Sequence, residues 1–92
     1  MSKFFSTRLN KRVIVDPKFT TRDWGLYGDG VLCQIAASEL NRCLAYCVES
    51  QYTREQTLAG MNKQRTAFAA EGAADSDCLL VLNHILDEIY GD

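Results

Sequence analysis

From Val31 to Gln51 neither glycine nor proline interrupts the chain, and apolar residues recur at steps of three and four: Val31, Leu32, Ile35, Ala36, Leu40, Cys43, Leu44, Cys47 and Val48. Gln34, Ser38, Asn41, Arg42 and Glu49 fall on the opposite stripe. That pattern predicts one long amphipathic helix over Asp29–Gln51, with Asp29 as its N-cap at the positive end of the helix dipole. At about 1.5 Å per residue such a helix is roughly 33 Å long and crosses a small domain, so the other elements must pack on it. An alternative reading pairs Trp24–Tyr27 with Val31–Ile35 as a hairpin about Gly28-Asp29-Gly30, in which case the helix begins near Ser38.

The rest of the chain, 92 residues in all, reads as one domain around that helix. Lys3–Leu9 and Arg12–Asp16 have the alternation and β-branched content of strands, joined at Asn10-Lys11. Asp16-Pro17 closes the second strand, and Phe19–Tyr27 is a candidate third. Thr53-Arg54-Glu55-Gln56 has the pattern of a capping box and predicts a second helix to about Glu71, with Gly72 as its stop. Asp75-Ser76-Asp77 is expected to cap a third helix through Tyr90. Its apolar face, Cys78, Leu79, Leu82, Ile85, Leu86 and Ile89, is widened by Leu80 and Val81, as suits a helix lying beside the first. The expected fold class is α+β: a small N-terminal antiparallel β-meander of two or three strands packed on three α-helices.

Charge is unevenly spread. Residues 1–27 hold six basic residues (Lys3, Arg8, Lys11, Arg12, Lys18 and Arg22) against Asp16 and Asp23, a balance of +4. Residues 28–92 hold four basic and ten acidic residues, a balance of −6. A basic end hidden in an acidic chain suggests a polyanion or an acidic protein surface as partner. Phe4, Phe5, Trp24 and Tyr27 share that end, and aromatic side chains among cations can stack on unpaired bases. The same rings also suit a cover for the long helix.

Little else carries chemistry. His84 is the only histidine, placed on a helix near Asp87 and Glu88, where a structural role is the ordinary one. Cys43 and Cys47 share the apolar stripe and read as small buried hydrophobes, reduced and free of metal. The Gly28/Gly30 pair does not continue into a phosphate-binding fingerprint. No apolar run approaches the ~20 residues of a membrane span, and the first nine residues lack a signal-peptide core, so a cytoplasmic protein is expected. No enzyme activity, cofactor or small-molecule substrate is expected.

The whole chain, from Met1-Ser2-Lys3-Phe4-Phe5 to Ile89-Tyr90-Gly91-Asp92, resembles phage-encoded anti-CRISPR proteins that inhibit the type I-F surveillance complex, the crRNA-guided Csy or Cascade assembly. The resemblance lies in overall sequence, size and charge rather than in a motif, and it assigns no catalytic residue. It implies a non-enzymatic inhibitor in the cytoplasm of an infected bacterial host. Such a protein docks on a multisubunit ribonucleoprotein, on its Cas subunits or its guide RNA, and blocks hybridisation of target DNA. The candidate contact residues are Lys3, Arg8, Lys11, Arg12, Lys18 and Arg22, with Lys63 and Arg65 on the second helix as a fallback. The acidic residues are dispersed along helices, which favours wedge-like docking over mimicry of DNA. The alternative is a small nucleic-acid-binding regulator, although the short glycine-containing turn of a helix-turn-helix is missing.

Overall fold

The computed structural model describes residues 17–28 and 30–91 in full, together with the backbone of 3–6 and 11–14. Three helices form the packed body: α1 (Val31–Glu49), α2 (Arg54–Glu71) and α3 (Cys78–Tyr90). The expected β-meander packed on helices is overturned, and the body is helical throughout. Extended pairing is confined to two four-residue backbone segments, Lys3–Ser6 and Lys11–Ile14, in antiparallel register from Lys3 opposite Ile14 to Ser6 opposite Lys11. Segments this short do not make a sheet layer, and the described core begins at Trp24.

The third strand is replaced by a turn, and the reason is local. Thr20 Oγ1 accepts from the Asp23 backbone N–H at 3.1 Å, and Asp23 Oδ2 accepts from the Thr20 N–H at 3.0 Å. This reciprocal side-chain pairing offers the backbone an alternative to a ladder. The Trp24 N–H then donates to the Thr20 carbonyl and the Leu26 N–H to that of Thr21. Gly25 follows in the left-handed region at φ 73°. A Cβ there would stand 2.8 and 2.9 Å from backbone atoms of Asp77 and Cys78, so the position takes glycine for both conformation and space. The Gly25 carbonyl accepts from the N–H groups of Ser76 and Asp77, which fixes the turn to the start of α3.

Val31–Ile35 is helix, which removes the hairpin alternative. The N-cap of α1 is Gly30, without a side-chain cap bond, rather than Asp29, which lies outside the described residues. The buried stripe is rotated relative to the expected one. Cys33 and Ala37 join Ala36, Leu40, Leu44, Cys47 and Val48 inside, while Val31 is 72% exposed and Ile35 47%. The α1–α2 corner is closed at Gln51, which adopts φ 58°.

The capping box of α2 is present, with the Thr53 side chain on the Gln56 N–H and the Gln56 side chain on the Thr53 N–H. Gly72 terminates the helix at φ 119°. α2 packs closely on both other helices, yet only Thr57 and Met61 are buried in it. Leu58 and Phe68 lie partly buried against the core beside Met61, and polar links add to the attachment. Thr57 shares a buried hydrogen bond with the Tyr90 hydroxyl at 2.9 Å. Arg54 reaches Asp87 Oδ1 at 2.8 Å and Asn83 Oδ1 at 3.1 Å. Arg65 pairs with Asp75 and with Asn62 Oδ1.

α3 begins at Cys78 after Asp77, which makes no side-chain cap bond. The Asp75 and Asp77 carboxylates serve other partners: Asp75 takes Arg65, and Asp77 accepts from the Tyr27 hydroxyl. Leu79 and Leu80, placed by the sequence on the inner face, stand 42% and 72% exposed. α3 is not laid tightly along α1. α2 bridges the two, and the Pro17–Gly28 segment enters the seam between them.

Truncation of Leu40, 1% exposed at the centre of α1, is expected to cost about 2–5 kcal/mol, the range for emptying a buried leucine site. Val31→Ala and Glu49→Ala should each stay within about 0.5 kcal/mol of the parent. Urea unfolding of the three variants checks the face assignment, and equal midpoints for Leu40→Ala and Val31→Ala would reject it.

Candidate functional site

Residues 17–24 form a ridge over α1, and one side chain fixes it there. Asn41 Oδ1 accepts from the Trp24 indole N–H at 2.9 Å and from the Phe19 backbone N–H at 3.2 Å. Asn41 Nδ2 donates to the Phe19 carbonyl at 2.9 Å. Phe19 stands edge-on to Trp24 with ring centroids 5.2 Å apart, and Trp24 is fully buried. Asn41 lies on the stripe that the sequence assigns to solvent. No residue pattern distinguishes it from its polar neighbours, so its inward role was not legible.

The ridge separates two grooves. On one side a polar groove runs between the ridge and α1, lined by Lys18, Thr20, Thr21, Gln34, Ser38 and Arg42. On the other an apolar groove opens toward α3, lined by Phe19, Leu44, Leu80, Val81, Ile85 and Ile89. Lys18 lines both.

Of the expected contact residues, Lys18 and Arg22 stand exposed on the ridge. The side chains of Lys3, Arg8, Lys11 and Arg12 lie outside the described residues. The structure adds Arg42, which the sequence pattern placed only on a polar stripe. Its side chain is 76% exposed on the far wall of the polar groove and lies 3.6 Å from Glu39. Lys63 is exposed, but Arg65 is not open to a partner: its side chain is 16% exposed and engaged by Asp75 and Asn62. Beyond Arg42 the outer face of α1 carries Tyr46, which meets Tyr52 edge to face at 6.1 Å. The Tyr46 hydrogen bond raises the Tyr52 phenol above its ordinary range. On the ridge, bonds from the Thr20 backbone and hydroxyl hold the Asp23 carboxyl below its usual value.

His84 pairs with Glu88 at 3.3 Å on the exposed side of α3. The four cysteines are free thiols, and among the described residues no cluster of three or more metal-ligating side chains occurs. Burial pushes the Cys47 thiol up to about 12 and Cys78 up to about 11, and raises Cys43 as well. Among the described residues no helix is long and apolar enough to cross a membrane. Comparison with protein-family models, with curated proteins and with solved structures gave no match.

Replacing Asn41 by Ala strands the Trp24 N–H and both polar groups of Phe19, at about 1–3 kcal/mol for each group left buried without a partner. The chain has a single tryptophan, so its fluorescence reports this clasp directly. Asn41→Ala is expected to shift Trp24 emission to the red and raise its accessibility to iodide under native conditions. Unchanged emission together with an unchanged urea midpoint would show that the clasp does not hold the ridge.

Proposed function

We propose that this chain is a non-enzymatic inhibitor that docks on a crRNA-guided type I-F surveillance complex in the host cytoplasm and keeps target DNA from pairing with the guide. The whole-chain resemblance to anti-CRISPR proteins brings the reading. One structural observation supports it best: the basic first third of the chain leads into a ridge that Asn41 pins in place, with Lys18 and Arg22 exposed on it and Arg42 across the groove. Cations on a fixed loop lose less conformational freedom on binding than cations on a free one, which favours affinity. The outer face of α1 adds Ile35 and Tyr46, with Tyr52 beside them in the α1–α2 connection, exposed side chains of types suited to protein contact. A surface that joins these to cations fits a partner made of both protein and RNA.

The alternative, a DNA-binding regulator reading through the second helix, loses support because Arg65 is tied to Asp75 and Asn62.

Reversing Lys11 and Arg12 to Glu should weaken binding to the purified surveillance complex by an order of magnitude or more. A second variant, Arg22→Glu with Arg42→Glu, should do the same. With fewer phosphates neutralised, affinity should also depend less steeply on salt, because fewer counterions are released. The Arg22→Glu, Arg42→Glu variant should melt with the parent, because exposed charges contribute little to stability. Competition with target DNA is read by mobility shift. Failure of the parent chain to co-purify with the complex, or intact binding and salt slope in both variants, would reject the reading.

A further inference from the structure

Cys43 and Cys47 lie one turn apart on α1, and their side chains are hydrogen-bonded to each other. Cys47 is buried and packs toward α2, where a Cβ on Gly60 would stand 3.8 Å from its Sγ. Cys43 is half-buried and is the side of the pair that solvent reaches. Cys33 and Cys78 are both buried, at the starts of α1 and α3, and Cys78 has Asp75 and Arg65 for neighbours rather than a thiol.

A direct disulfide does not suit this pair. Cβ atoms four residues apart on a helix are about 5–6 Å apart, whereas a disulfide needs about 3.5–4.5 Å, so closing one breaks the helical turn. A single atom inserted between the two sulfurs closes the gap with the helix intact. Two ligands are too few for zinc, which takes at least three side chains. Charge narrows the choice further. Burial pushes the Cys47 thiol up to about 12, and Glu39 stands near Cys43, so an adduct that leaves negative charge on the sulfurs is penalised. Copper(I) bound by two thiolates carries that charge. Mercury(II) gives a neutral adduct but holds its sulfurs in line on opposite sides, whereas these two are side by side. Trivalent arsenic is pyramidal, takes two adjacent sulfurs and gives a neutral adduct.

We propose that Cys43 and Cys47 form a dithiol site for trivalent arsenic, as arsenite or an organic arsenic(III) oxide. With an aryl oxide, the two arsenic–oxygen bonds are exchanged for two arsenic–sulfur bonds. Both thiol protons leave on that oxygen as one water, and no electron is transferred. The adduct cross-links one turn near the end of α1. It uses neither groove and does not depend on the partner proposed above.

Phenylarsine oxide, added in one equivalent to the reduced full chain without oxygen and then desalted, tests it. One equivalent should stay with the folded protein, and the free thiols counted after denaturation should fall from four to two. Excess ethanedithiol should restore all four. Binding to the folded chain should also raise the melting temperature. Cys43→Ser, which leaves the core residue Cys47 in place, should weaken binding roughly a hundredfold, because a two-point attachment becomes a single bond. Cys43→Ala, checked beside it by circular dichroism, guards against a loss of binding through misfolding and should lose the probe alike. A parent chain that retains no arsenic overturns the proposal, as does undiminished retention in both variants. A melting temperature that falls on binding also overturns it, since that is the mark of capture by thiols of the unfolded chain.

Discussion

One carboxamide decides whether this protein has a defined surface at its basic end. Asn41 satisfies the indole N–H of Trp24 and both backbone groups of Phe19, and no apolar residue at that position could do so. A buried polar group is tolerable only when paired, so the indole can sit at zero exposure because the amide is there to receive it. Trp24 in turn fills the space above α1, and with it in place the Pro17–Thr21 segment runs along the helix instead of away from it. Both grooves are consequences of that seating.

The helices divide the work of cohesion unequally. α1 and α3 bring the apolar side chains, while α2 touches both with only two buried residues of its own. Its attachment is directional: Arg54 to Asn83 and Asp87, Thr57 to Tyr90, and Arg65 to Asp75. Hydrogen bonds of this kind contribute little net free energy one by one, but they admit one register where an apolar contact would admit several.

The legible parts of the fold were those written in local chemistry. The Thr53–Gln56 box and the Gly72 stop bound α2 as the sequence indicates, because each depends on residues within one turn. The existence and length of α1 follow from its period, although its buried stripe is turned toward Cys33 and Ala37. Small residues carry a weak hydrophobic signal, and only the neighbours decide that they lie inside. The third strand fails because β-branched Thr20 and Thr21 suit a pleat, while the Thr-x-x-Asp spacing at Thr20–Asp23 also codes for a side-chain-closed turn. The acidic run before α3 looks like a cap, and only the folded chain shows its carboxylates turned to Arg65 and Tyr27. Of the site, Lys18 and Arg22 could be named from charge. Arg42 and Asn41 could not, since their importance comes from a segment some twenty residues away in sequence.

The Gly25 carbonyl adds a matter of timing. The Asn41 clasp joins residues about twenty apart and can close while the chain is still being made. The other anchor of the same turn, the bonds from Ser76 and Asp77 to Gly25, spans some fifty residues, as does the Tyr27 contact with Asp77. At a synthesis rate of roughly 5–20 residues per second, α1 and its ridge wait several seconds for the residues that seal the turn from the far side. During that interval Trp24 is held from one direction only. The nascent chain therefore passes through a half-fastened state in which Trp24 still lacks its cover from the α3 side, and a ribosome stalled before Ser76 would display it.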